Sequence, residues 1–213
     1  MARGKRGLRM EKIVIATKNE GKVGEMREAL SHLPVEVVSL RAFGDLPDAV
    51  EDGKTFLENA KAKAAFYEKR TGCICMADDS GLEVEALGGA PGIYSARYAG
   101  AHGDDAANNA KLCEELARRG LPESRAAYRC ALAVCTPDGE AFQTLGSCEG
   151  VVRRARRGTG GFGYDPYFYP DACMGRSMAE LVIGEKIRIS HRGAALRLMV
   201  MKLQEFLAGG ISL

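Results

Sequence analysis

The chain has 213 residues, 46% hydrophobic and 27% charged, a balance that suits one large globular domain with a real core. A net charge of +2 supplies no bulk field toward nucleic acid or a membrane surface, and no apolar run is long enough to span a bilayer. Seven cysteines, an odd number without a Cys-x-x-Cys pair or zinc spacing, read as buried reduced thiols and point to a cytoplasmic protein.

Residues 1–10 are basic but lack the apolar segment of a signal peptide. They read as a disordered extension, with Met10 an alternative start, ahead of a single domain over residues 11–213. Residues 13–16 form a short β-branched run, hence a buried first strand. The polar loop Thr17, Lys18, Asn19, Glu20, Gly21, Lys22 then leads into a helix whose apolar face is Val23, Met26, Leu30 and Leu33. Free N–H groups at such a strand–loop–helix junction favour phosphate, and Lys18 and Lys22 add charge. The Walker A pattern is absent.

A second strand is expected over residues 35–40, followed by an irregular acidic stretch over 45–53 that holds Asp48 and Glu51. Thr55 and Glu58 make a capping-box signature for a helix that ends at Gly72. Phe56, Ala60, Ala64 and Tyr67 line its core face, while Asn59 and Lys63, four apart, share another.

The apolar run 73–77 reads as a buried strand, placing Asp78 and Asp79 at its end with a tight turn at Ser80 and Gly81. Paired carboxylates there can hold Mg²⁺ with hard oxygen ligands, partly through substrate phosphates. A bare Asp-Asp is more often a solvated acidic turn, so the assignment rests on its company. Residues 104–119 follow as a helix with Leu112 and Leu116 inward and Gly120 as its stop. Residues 127–135 and 141–152, joined by Thr-Pro-Asp-Gly, form a long hairpin. Parallel βα units before an antiparallel pair argue for an α/β fold around a mixed sheet.

Residues 158–170, rich in glycine and aromatics, are too irregular for an element. Such a loop can close over a flat ligand, with Phe162 and Tyr164 stacking and Asp165 accepting hydrogen bonds. Ser190 is a natural N-cap for a last helix carrying Leu196, Met199, Leu203 and Phe206. His191 and Arg192 in its first turn oppose the helix dipole, which calls for a carboxylate, a bound anion or a base beside them.

The segments ATKNEGKVGEM, GKTFLENAKAKA, ADDSGLEVEALGGAPGIYSARYAG, GFGYDP and EKIRISHRG together resemble the inosine triphosphatase-like family, in the same order, over residues 13–206. The resemblance implies a long central mixed sheet, two lobes around an active-site cleft, and a homodimer. It implies Mg²⁺-dependent hydrolysis of dITP, ITP and XTP to the monophosphate and pyrophosphate. The near-neutral charge, without a wider basic face, argues separately for no nucleic-acid and no membrane partner. By position, Thr17 to Lys22 resemble the triphosphate cradle, Asp79 the general base and metal ligand with Asp78 beside it, and Glu51 a second metal ligand. Lys22 and Lys63 match lysines acting at the phosphates. Ser80, Phe162, Gly163, Tyr164, Asp165, Lys186, His191 and Arg192 match substrate-binding positions. Which aspartate is the base stays open, because neighbours on a continuing strand point to opposite faces. Three features depart from the family pattern: Lys18, Ile187, and the run Arg156-Arg157-Gly158 where Pro-Arg-Gly is usual.

Overall fold

The computed structural model describes residues 11–139, 141–173 and 175–209, so the expectations for residues 1–10 lie outside it. Among the described residues, six strands form one mixed sheet in the order β2-β1-β3-β4-β5-β6. Strand β1 (Glu11–Ile15) is parallel to both β2 (Val35–Ser39) and β3 (Ile74–Val84). From there the ladder turns antiparallel through β4 (Glu123–Cys135), β5 (Ala141–Arg153) and β6 (Phe168–Pro170).

Alternation along the strands decides which helices cover which face. Ile13, Ile15 and Met76 pack under α1 (Glu20–Leu30) and α5 (His191–Leu207), meeting Met26, Leu30, Leu196 and Met199. Val14, Ala16, Cys75 and Ala77 point the other way, under Ala60, Ala64 and Tyr67 of α2 (Phe56–Thr71). A third cluster joins Leu82, Val84, Tyr128 and Phe168 to Leu112 and Leu116 of α3 (Asp105–Arg118). A cleft opens along the middle of β3, one half beside α1 and α5 and the other beside α2.

Several expectations change. Strand β3 does not stop at the aspartates: it runs eleven residues, to Val84, pairing Asp78 with Leu132, Asp79 with Ala131 and Ser80 with Cys130. No turn forms at Gly81. Its missing Cβ instead admits a neighbour, since a Cβ there would lie 2.4 Å from Ser95 Oγ and 2.5 Å from the Gly92 carbonyl. The capping box is half formed. Thr55 Oγ1 accepts the Glu58 N–H at 3.1 Å, but Glu58 Oε2 accepts from Lys54 N–H at 2.7 Å, not from Thr55, which sits in extended backbone. Residues 158–170 are not wholly irregular, because Phe168–Pro170 add β6 to the sheet edge. A short helix, α4 (Ile183–Ile189), precedes α5.

The approach of α5 to the sheet needs a glycine on β5. A Cβ on Gly146 would lie 2.1 Å from the His191 carbonyl and 2.6 Å from Ala195 N. Close contact there sets the first turn of α5, and so His191 and Arg192, against the cleft floor.

Candidate active site

Two adjoining cavities make up the cleft. One is lined by Glu25, Tyr128, Phe162, Lys186, His191 and Arg192, the other by Thr17, Lys18, Glu51, Lys63, Asp79 and Arg97. Asn19, Lys22, Ser80, Ala96 and Asp105 line both, so the halves meet across β3 and the start of α1. The Asn19 side chain caps α1 by accepting the Lys22 N–H at 3.1 Å. The N–H groups of Glu20 and Gly21 have no protein partner among the described residues and remain free at a helix N-terminus.

Asp78 faces α1 and α5. Its carboxylate takes Arg192 Nε at 2.8 Å, Lys22 Nζ, Ser80 Oγ at 2.8 Å and the Cys130 thiol at 3.2 Å. Burial alone would push this carboxyl up, but Arg192 and Lys22 outweigh it and hold Asp78 well below the usual carboxylate range. Glu25 completes the cluster, accepting Arg192 Nη1 at 2.6 Å and Lys186 Nζ at 2.8 Å. Burial opposes its charge as well, and Arg192 with Lys186 wins.

Asp79, one residue on, faces α2. Its one hydrogen-bond donor among the described residues is Asn59 Nδ2, at 2.9 Å. Burial raises its pKa, more than Lys63, Lys22 and the Asn59 hydrogen bond lower it. Asn59 is itself 1% exposed, and its Oδ1 accepts the Gly53 N–H at 2.8 Å, tying the Glu51 loop to Asp79. Lys63 Nζ pairs with Glu51 at 2.6 Å and approaches the Asp78 carbonyl at 3.3 Å. Lys18 pairs with Asp48 at 2.9 Å on the cleft rim.

In the other half, Phe162 lies over Lys186 at 4.7 Å and over Arg192 at 5.4 Å. Tyr164 is not free to stack on a ligand face: it is buried in the α3 core and its hydroxyl donates to the Ser95 carbonyl at 2.8 Å. Asp165 does accept hydrogen bonds, from Phe162 N–H and Lys186 Nζ, both at 3.0 Å. Its carboxyl is raised by burial, which outweighs Lys186. Gly163 forms the neighbouring wall, its carbonyl held by Asn109 Nδ2 at 2.9 Å. His191 stacks flat on Tyr128, rings 4.5 Å apart, with Nδ1 unpartnered. Burial, then the Arg192 charge, keeps it well below the usual imidazole range and therefore neutral.

Most candidates named from the sequence thus line one cleft; Asp78 borders it through Lys22 and Arg192 and Gly21 through Phe162, whereas the Glu20 carboxylate pairs with Arg41 at 3.0 Å and lines neither cavity. Glu25 was missed, although the cations on α5 called for a carboxylate; only the approach of α1 to α5 identifies which. Asn59 stood on the right helix face beside Lys63, with nothing in the sequence to show that this face meets Asp79.

A profile of the Ham1 family matches residues 13–202. A dITP/XTP pyrophosphatase from Geobacter sulfurreducens is 48% identical over 190 residues, covering 89% of this chain and 95% of the relative. One from Bacillus licheniformis is 49% identical over 188 residues, covering 88% and 95%. The solved structure of a HAM1 protein from Coxiella burnetii matches with a TM-score of 0.81 at 40% identity, over 92% of this chain and 100% of that one. A nucleoside-triphosphatase / dITP/XTP pyrophosphatase from Mycobacterium abscessus gives 0.66 at 40% identity, over 92% and 97%. Alike in sequence from the first strand into the last helix, and alike in fold over the same span, this chain belongs to the Ham1 family.

Proposed function

We propose that the protein hydrolyses noncanonical purine nucleoside triphosphates, dITP, ITP and XTP, to the monophosphate and pyrophosphate, clearing them from the nucleotide pool. Relatives at 48–49% identity are named dITP/XTP pyrophosphatases, and the arrangement of charges in the cleft supports the same chemistry here. The observation that carries the reading is the contrast at β3. Asp78 is saturated by cations, whereas Asp79 lacks an ion-pair partner among the described residues, has a raised pKa and lines the cleft.

Asp79 is therefore the group assigned to take a proton from the water that attacks the α-phosphorus. Asn59 holds one of its oxygens and so fixes the direction of the other. Lys22 and Lys63 supply fixed positive charge where charge grows on the phosphates, and the free Glu20 and Gly21 N–H groups at the start of α1 receive phosphate oxygens. Phe162 covers the base. His191 and the two Arg192 N–H groups left after its bonds to Asp78, Glu25 and Ser80 face the purine edge. A 6-keto oxygen accepts from such donors where the amino group of adenine would present another donor.

The donor set fits Mg²⁺. Glu51 and Asp79 line the same cavity and Glu51 raises Asp79, while no cluster of three ligating side chains occurs among the described residues. Asp79 and Glu51, the latter paired with Lys63 in the absence of the ion, are two carboxylates on one cavity, which suits an ion that keeps waters and takes the rest of its ligands from substrate phosphates. When bound, Mg²⁺ would supply neutralisation of the phosphate charge. We assign the protein to the cytoplasm, in keeping with its free cysteines, and to a homodimer.

The test is pyrophosphate release from dITP, XTP, dATP, dGTP and dTTP with Mg²⁺, beside an Asp79→Asn variant. Turnover confined to dITP and XTP and lost in the variant supports the reading. Equal turnover of all five would remove the specificity role of His191 and Arg192, and no turnover would remove the enzyme.

A further inference from the structure

The end of the central motif, Gly92 to Gly100, has no part in the chemistry above. Its 3-10 turn, Gly92–Arg97, is nevertheless pinned to the catalytic strand. Ser95 Oγ accepts the Leu82 N–H at 2.9 Å and donates to the Gly92 carbonyl at 2.6 Å, in the space left by Gly81. The buried Tyr164 hydroxyl holds the Ser95 carbonyl from the other side. Two residues on, Arg97 reaches back across the cleft to the Glu51 carbonyl, Nη2 to oxygen at 3.1 Å, with Tyr94 beneath it at 5.3 Å.

Arg97 stands apart from the other cations in this half of the cleft. Four lysines and arginines line it: Lys18, Lys22, Lys63 and Arg97. The first three are each paired, with Asp48, Asp78 and Glu51. Arg97 has no carboxylate partner among the described residues; its one hydrogen bond goes to a neutral carbonyl. A half-buried guanidinium held in place with unused donors is suited to a phosphate, which it can grip with two parallel N–H groups. Position indicates which phosphates. Arg97 lines only the cavity that holds Asp79 and Glu51, on the far side of Lys22 and Ser80 from Phe162 and His191.

We infer that Arg97 is a substrate-binding residue for the β- and γ-phosphates, the part that leaves as pyrophosphate. This rests on the triphosphate reading above and extends it to the leaving group. The Arg97 charge then binds product pyrophosphate and contributes nothing to the nucleoside monophosphate.

Calorimetric titration of the protein with pyrophosphate and, separately, with dIMP, each with Mg²⁺, tests this in the wild type, Arg97→Ala and Arg97→Gln. The glutamine retains an amide donor for the Glu51 carbonyl and lacks the charge, so it also decides the matter should the alanine variant melt early. The expected result is pyrophosphate affinity lowered about tenfold or more in both, with dIMP affinity within about twofold. Unchanged pyrophosphate affinity would overturn the assignment. So would a parallel loss for both ligands, the signature of a loosened Glu51 loop. Failure of the wild type to hydrolyse dITP would sink the parent reading alone, because the titration scores Arg97 independently of turnover.

Discussion

On the α1/α5 face of β3, Asp78 receives two cations, a hydroxyl and a thiol; on the α2 face, Asp79 receives one amide and looks into the cleft. The two side chains are chemically identical and adjacent, and both are buried. Pleating sends them to opposite sides of the sheet, where different helices decide their charge. Burial raises both carboxyls, and only Asp78 has enough positive charge in contact to reverse the direction. One strand thereby supplies a locked structural anion and a carboxylate with an affinity for protons.

Replacing Asp79 by Asn gives the largest expected effect on rate. Turnover of dITP should fall about 10²–10⁴-fold, the range for loss of a general base, while the melting temperature holds or rises. The sign follows from its raised pKa: above that value the folded state carries a charge it disfavours, so neutralising the group costs no stability. A large drop in melting temperature would contradict the contrast between the faces.

Asp78→Asn should act in the opposite way, through the fold. It strands Arg192 and Lys22 with one carboxylate fewer, a loss of roughly 3–5 kcal/mol for a broken buried pair, read from urea unfolding. Wild-type stability should also fall in acid where the variant's falls less. The folded pKa of Asp78 lies below its unfolded value of about 3.9, so its contribution is complete above that pH and is lost as pH drops through the folded value.

Gly81→Ala sharpens the comparison at the point where β3 meets the 3-10 turn. Its Cβ would press on Ser95 Oγ and on the Gly92 carbonyl, an overpacking cost of roughly 1–3 kcal/mol in unfolding experiments. The smallest effect is expected at Lys18→Gly on the cleft rim, where the pair with Asp48 is exposed. The KM for dITP should move by no more than about twofold and respond to salt.

Much of this was legible in the chain itself. Local rules sufficed for β1, the cap at Ser190, the helix stop at Gly72 and the hairpin of β4 and β5, because period, capping and turn chemistry act within a few residues. The motif order was enough to gather the site residues, from Thr17 to Arg192, into one expected cleft. The end of β3 was misjudged because Asp-Asp-Ser-Gly looks like a turn in isolation, and a partner strand thirteen residues long overrides it.

What the sequence by itself determined is the set of groups, carboxylates, lysines, an imidazole and glycines at fixed spacing, since these are properties of the chain. Which aspartate lacks an ion pair among the described residues, that Glu25 answers Arg192, and that Arg97 has no carboxylate partner among the described residues were decided by tertiary structure. Each depends on what lies within a few ångströms across the fold: Glu25 and Arg192 are 167 residues apart in sequence and 2.6 Å apart in space. Charge and desolvation act over that short distance, and no local pattern records it.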